Sequence, residues 1–395
     1  MNPNVEEKEK EEVEVDVIII DLGSGMVKAG WAGEDAPRCV VPNLVLEKNI
    51  PASAMDPSTE YLVGDEALKV LHAFPEAGPA NVPMDRCEVK DWDAVQKVLT
   101  YVFQKELRVD PTQFPVLVTV APLTSADDRS ELAHRMFRHF KVPSLCLCNA
   151  AVLSLFSTGR TTGIVLEVGE GLAHAVPIYE GFCLPHAVLQ LPVAGIDLTR
   201  TLKNILEERG VEFDESQLDI VRDIKEKLCA VKTGEGRKRQ MTTLGDDDDN
   251  YELPGGQIIT IDDKPRYNSP EILFFPELTG TENMAHPPPR VDYGVPKMVV
   301  DSISMCDPNL QKDLYKNIVL AGGTTMLFGF AERMKMNIGN LVDSFTHFNV
   351  VADSQRKYGA WIGGSMYGSL STFPDIKVTQ QEYINDNTYV HKKFF

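Results

Sequence analysis

Two carboxylates in this sequence stand where a chain can hold a hydrated cation. Asp21 closes the apolar run Val17-Ile18-Ile19-Ile20 and is followed by Leu22-Gly23-Ser24-Gly25. Glu167 closes Gly163-Ile164-Val165-Leu166 and is followed by Val168-Gly169-Glu170-Gly171. Each reads as a buried strand running into a tight turn. Glycine in the turn lets main-chain N–H groups approach a ligand closely, and successive N–H groups form an anion-binding concavity. An acid at the strand end suits Mg²⁺, which keeps much of its water and binds through one or two carboxylates plus phosphate oxygens. Two such turns, one per half, point to a nucleoside polyphosphate clamped between related domains. One acid-x-Gly-x-Gly also fits an ordinary hairpin, so the repetition carries the argument.

A third turn extends the pattern. Ile318-Val319-Leu320-Ala321 is another apolar strand, ending in Gly322-Gly323-Thr324-Thr325-Met326 and leading into a helix-like stretch around Gly329 to Met336. Alone it is a strand-turn-helix joint with small residues for packing. Beside two phosphate-type turns it reads as the adenosine-side loop, where the glycine pair lies flat against a ring or ribose and a helix N-terminus favours negative charge.

Other elements must position these turns. Val116 to Val120 and Leu145 to Cys148 read as buried strands, the second leading into a helix through Leu155. Ser125 to Phe140, Gly195 to Arg209 and Ser216 to Cys229 carry helical spacing. Asn43 to Pro83 lacks long apolar runs and is broken by Pro51, Pro57 and Gly64. Thr233 to Asn250 is the least structured internal stretch, with Arg237-Lys238-Arg239 before the self-repelling, solvated block Asp246 to Asp249. That block lacks the spacing and closing Glu of an EF-hand. His286-Pro287-Pro288-Pro289 is a stiff connector.

Composition sets limits. The 395 residues allow two or more domains and a large core. A formal net charge of −19 argues against direct nucleic-acid binding and permits basic protein partners. No apolar run approaches bilayer length, and the acidic start lacks the features of a signal peptide. Seven scattered cysteines, none in Cys-x-x-Cys, read as reduced thiols of a cytosolic or nuclear protein. Cys146 and Cys148 have no second ligand pair for zinc and read as core.

Longer blocks narrow the class. Asp21 to Gly33, Gly159 to Leu166, His174 to Gly181, Arg222 to Cys229, the Gly-Gly-Thr-Thr turn, Arg356-Lys357-Tyr358, Trp361 to Ser365 and the tail His391 to Phe395 carry it. Together the chain resembles actin and the actin-related proteins from about Val15 to Phe395. The short turns also admit a sugar kinase or an Hsp70-type ATPase; the longer blocks do not. The resemblance implies a two-domain α/β ATPase fold of the actin/Hsp70/sugar-kinase type, with duplicated βββαβα cores and nucleotide in the central cleft. Residues 15–158, with 43–83 as a small outer lobe, form the first domain, completed by 359–395. Residues 159–358, with 194–281 as outer lobe, form the second, and 1–14 is a disordered or loosely helical acidic arm.

The same resemblance implies ATP or ADP with Mg²⁺ as ligands. Asp21 and Glu167 face each other and hold the metal through water. Gly23, Ser24, Gly25, Met26 and Lys28 form the first phosphate loop. Gly169, Glu170, Gly171 and Leu172 form the second. Lys225, Glu226, Gly322, Gly323, Thr324, Met326 and Lys357 line the nucleoside pocket, and His174 lies near the attacking water.

Departures from the family point away from fast hydrolysis. Glu167 and Glu170 stand where actins carry Asp, and Val168 where they carry Ser. The glutamine that orients the water matches Ala150. Asn149 is adjacent, but one step along a helix turns it by about 100°. The plug segment Phe274 to Gly280 carries Glu277 and Thr279 in place of less polar residues. The outer-lobe loop Glu47 to Thr59 differs from the actin loop. The groove residues Gly159, Thr161, Gly181, Leu370 and Thr372 are kept, with Tyr367 in place of leucine. The expectation is an actin-like subunit of a filament or fixed assembly with weak or absent hydrolysis. Its partners are other actin-like subunits and cytoskeletal proteins, without direct nucleic-acid or membrane contact, in the cytoplasm and cytoskeleton, including a cilium or dynactin-like complex. The alternatives are a conventional polymerising, ATP-hydrolysing actin and a nuclear subunit of a chromatin-remodelling complex.

Overall fold

A computed structural model describes residues 16–47, 60–74, 77–233, 249–279 and 293–394. The acidic arm, most of the loop Glu47 to Thr59, Arg237 to Arg239, Asp246 to Asp248 and His286 to Pro289 lie outside the described residues.

The chain builds one topology twice. Strands β1 (Ile18–Leu22), β2 (Met26–Trp31) and β3 (Cys39–Pro42) form an antiparallel meander. β4 (Val116–Val120) then adds parallel to β1, and β5 (Ser144–Asn149) parallel to β4. In the second half β6 (Gly163–Val168), β7 (Ala173–Tyr179) and β8 (Phe182–Cys183) repeat the meander, with β9 (Leu189–Leu191) also paired to β7. β10 (Ile318–Ala321) adds parallel to β6 and β11 (Val350–Val351) parallel to β10. The strand paths β5-β4-β1-β2-β3 and β11-β10-β6-β7-β8 match step for step. β12 (Val378–Thr379) returns late in the chain to pair with β5, on the edge of the first sheet.

The uninterrupted apolar runs reflect sheets covered on both faces. Ile18 and Ile20 enter the outer core of the first half while Ile19 points to an inner cluster with Leu117, Leu153 and Trp361. Ile164 and Leu166 enter the outer core of the second half while Val165 points to an inner cluster with Ala151, Leu155 and Val319. One helix, Ala150–Phe156, thus supplies Leu153 to one inner cluster and Ala151 and Leu155 to the other. The helix Gly359–Gly368 lies beside it. Trp361 there is fully buried and donates its indole N–H to the Ile19 carbonyl at 3.2 Å. A Cβ on Gly363 would stand 1.9 Å from the Leu153 carbonyl oxygen, so the two helices approach at backbone distance.

Four local expectations are corrected or refined. Asn149 is not one step along the helix: it ends β5 and caps the helix, its side-chain oxygen accepting from the Ala151 N–H at 2.9 Å. The Gly-Gly-Thr-Thr turn does not run straight into a helix N-terminus. It closes a short 3₁₀ turn at Gly323–Met326, and the helix Phe330–Leu341 starts later, behind Gly329 in a left-handed conformation at φ 81°. Ser125 to Phe140 divides into an α-helix, Ala126–His134, and a wider π-helical turn, Arg135–His139. Asp249, read as part of a solvated acidic block, pairs with Arg266.

Replacing Gly363 by Ala forces a methyl into the Leu153 carbonyl. Overpacking of this kind costs about 1–3 kcal/mol, and the rigid backbone target places Gly363→Ala at the upper end. Thermal denaturation should show a clear fall in Tm; an unchanged Tm contradicts the close helix contact.

Candidate functional site

The duplicated hairpins deliver their acids to one place. Asp21 and Lys28 are cross-strand partners in β1–β2, and Glu167 and His174 hold the same place in β6–β7. Lys28 Nζ donates to Asp21 Oδ2 at 2.5 Å and Thr119 Oγ1 donates to Oδ1 at 2.7 Å. Thr119 in turn accepts from the Leu22 N–H at 3.2 Å, fixing the start of the first turn. In the second hairpin the equivalent pair carries no such bond. Glu167 faces the space between the halves, deep enough that burial, reinforced by the charge of Asp21, pushes its carboxyl up to about 7 against the pull of Lys28. Burial drives His174 down to about 4, so its imidazole is neutral at neutral pH.

The glycine turns touch each other. A Cβ on Gly25 would meet Glu170 Cβ at 2.9 Å, so only glycine lets the first turn lie against the second. The first turn is held from behind by Asn43, whose side-chain N–H donates to the Gly23 carbonyl at 2.9 Å and whose backbone N–H donates to that of Gly25 at 3.0 Å. In the second turn the Gly169 carbonyl accepts from Gly195 N at 3.0 Å and Thr324 Oγ1 at 2.7 Å, and the Glu170 carbonyl accepts from Ile196 N at 2.8 Å. Lys225 lines the cleft but is almost wholly buried. Its ammonium donates to the Gly195 carbonyl at 2.8 Å and Thr199 Oγ1 at 2.9 Å, with Glu170 Oε2 at 3.9 Å. Burial lowers its pKa. Lys357 reaches Glu226 at 3.5 Å.

These groups surround one cleft of about 680 Å³. Its walls hold Asp21, Glu167, His174 and Ala150, the turn Gly23 to Met26 with Lys28, and the turn Gly169 to Leu172. Lys225, Glu226, Gly322, Gly323, Thr324, Met326 and Lys357 complete them. The residues assigned from the sequence to the metal, the two phosphate loops and the nucleoside pocket therefore line a single space between the halves. Two acids on one cleft wall, Asp21 paired with Lys28 and Glu167 pushed up mainly by burial and further by Asp21, fit a divalent cation. Among the described residues no three His, Cys, Asp or Glu side chains converge on a metal position, so such a cation would draw its other ligands from phosphate and water.

Arg86 was not foreseen. With Cys87 it forms the two-residue turn of a small hairpin, Met84–Asp85 and Glu88–Val89, and both residues take positive φ, 47° and 64°. Such a turn favours Asn-Gly, so Arg86-Cys87 gives no sequence signal. The Arg86 guanidinium donates to the carbonyls of Gly171 at 3.0 Å and Pro192 at 2.8 Å and to Asp197 Oδ1 at 2.8 Å. The Cys87 N–H donates to Ser24 Oγ at 3.0 Å. This hairpin thus fastens both glycine turns from the first half.

A family model described as Actin matches the chain over residues 12–218 and 212–395.

The two perturbed groups make opposite contributions to stability. Glu167 moves from an ordinary 4.5 to about 7, so between these values the folded chain holds more protons and stability falls as pH rises. His174 moves from 6.5 to about 4, so over that range the unfolded chain holds more and stability rises with pH. The slopes oppose each other where the windows overlap. Glu167→Gln removes the first, so the variant's Tm should climb more steeply than the parent's from pH 4.5 to 6.5 and exceed it above pH 7. Parallel Tm profiles for parent and variant would refute the assignment.

Proposed function

Because the chain belongs to the actin family, we propose that its cleft binds ATP or ADP with Mg²⁺ and that it serves as a structural subunit of a filament or fixed multiprotein assembly, with weak or absent hydrolysis. The touching glycine turns, the facing acids and Lys28 support the nucleotide. On this reading Mg²⁺ supplies charge neutralisation for the phosphates, Asp21 and Glu167 hold it through water, and Lys28 fixes the Asp21 carboxylate in place. The domains follow the sheets: 15–158 with 359–395, and 159–358, with 43–83 and 194–281 as outer lobes. The Trp361–Ile19 bond and the pairing of β12 with β5 support returning the chain's end to the first domain. Cytoskeletal, actin-like partners and a cytoplasmic site follow the same reading. Among the described residues no helix is long and apolar enough to cross a membrane.

Ala150 carries the proposal of slow hydrolysis. It starts the helix Ala150–Phe156 and lines the cleft with only a methyl group. The neighbouring carboxamide, Asn149, is committed to capping that helix. His174, neutral and buried, is a polar group on the same cleft wall. Phosphoryl transfer depends on positioning the nucleophile, and a methyl group positions no water. Nucleotide extracted from native protein should be ATP or ADP, and Asp21→Ala or Lys28→Ala should weaken its binding; folded protein without measurable affinity removes the proposal. Phosphate release should be slow and should rise about 10²-fold in Ala150→Gln. Release at the ordinary actin rate in the parent would show that another group orients the water.

Assembly should require partners. The segment Phe274 to Thr279 turns Phe275 and Leu278 outward, but Glu277 sits between them in sequence with one carboxylate oxygen enclosed and unpartnered. Each fully buried aliphatic side chain is worth about 1.5–3 kcal/mol, so a polar residue here weakens a subunit contact, and a net charge of −19 opposes self-association at low salt. Sedimentation of the pure protein across salt and protein concentration should leave it in the supernatant; regular filaments at low micromolar protein would return it to the ordinary actins.

A further inference from the structure

We infer that His72 and Asp219 form a pH-sensitive latch between the two outer lobes, closed by protonation of the imidazole. His72 lies in the last turn of the helix Asp65–Ala73 and Asp219 in the first turn of the helix Leu218–Leu228. The two helices belong to opposite halves, and both residues line the cleft. His72 Nε2 stands 3.0 Å from the Asp219 carboxylate, with the side chains 33% and 19% exposed. A helix C-terminus favours a cation and an N-terminus an anion, so each helix presents the pole that suits its side of the contact.

Among the described residues two ion pairs join the halves: Arg86–Asp197 and His72–Asp219. Arginine stays charged at any physiological pH, which makes Arg86 a permanent clasp. Histidine is the side-chain type that changes charge between pH 5 and 8, which makes the second contact switchable. The groups that face it have been fixed by the fold. On its own helix stand Asp65, Glu66 and Lys69. Across from it are Glu215 on the short turn that packs against this helix, Asp219, Arg222 and Asp223. Lys203 lies 3.7 Å from Glu215, and Asp223 is held by Lys227 and the Tyr251 hydroxyl. With Glu215 near Lys203 and Asp223 held by Lys227, the carboxylate that meets a charge gained by His72 is Asp219. Neutral His72 keeps a hydrogen bond to Asp219; protonated His72 adds an ion pair, worth about two- to fivefold in an equilibrium at this exposure. Lower pH therefore shifts the lobes toward closure and slows escape of whatever the cleft holds.

The effect on release rests on the nucleotide reading of the cleft; the contact itself does not, and two measurements separate them. The first is a double-mutant cycle of the full chain, with His72→Gln, Asp219→Asn and the pair, followed by denaturant unfolding at pH 6 and pH 8. The coupling should be about threefold larger in the unfolding constant at pH 6, and a coupling equal at both pH values overturns the latch. The second is displacement of fluorescent etheno-ATP by excess ATP. Release should be about threefold slower at pH 6 than in His72→Gln at the same pH, with the difference gone at pH 8. Parent and variant releasing alike at pH 6 overturns the latch. A pH-dependent coupling in a protein that binds no etheno-ATP supports the latch and overturns the nucleotide reading instead.

Discussion

The structure depends on a contact made without side chains. Gly363 brings the helix Gly359–Gly368 against the Leu153 carbonyl, and no larger residue leaves room for that approach. On one side of the pair, Trp361 and Leu153 close the inner face of the first sheet. On the other, Ala151 and Leu155 close the inner face of the second. Two sheets, each already supplied with its own outer core, are thereby held at a fixed spacing, and the cleft is the space left between them. Ala150 sits at the start of the same helix, so the residue facing the cleft is placed by the contact that spaces the halves.

Duplication explains the electrostatics as well as the shape. Both hairpins put an acid opposite a basic residue, but the two pairs behave differently. Lysine in the first pairs with Asp21 at 2.5 Å. Histidine in the second is buried as the neutral form, so nothing in its own hairpin offsets the Glu167 charge. Burial and the fixed charge of Asp21 then act together on Glu167. In the first half of the repeat the acid is paired with a basic residue of its own hairpin, and in the second it is not.

Much of this was legible in the sequence because it is local. β1, β4 and β6 read directly from apolar runs, since strands covered on both faces need no alternation. The glycine turns read from residue type, since few other residues permit such close approach. What could not be read depends on partners far along the chain. Arg86 makes its contacts with Gly171, Pro192 and Asp197, and its turn lacks the glycine or asparagine that marks such a bend. Asn149 was assigned to a helix because its neighbours are helical, whereas its side chain is what lets that helix begin.

The shared helix Ala150–Phe156 also bears on how such a chain drifts in sequence. A repeat whose halves met only across a solvent-filled gap would let each half vary alone. Here successive turns of one helix serve different masters: Leu153 answers to the first sheet, Ala151 and Leu155 to the second. A change of volume at any of them moves the helix for both. The two copies, free to diverge in their lobes and turns, have to change in step along these few residues.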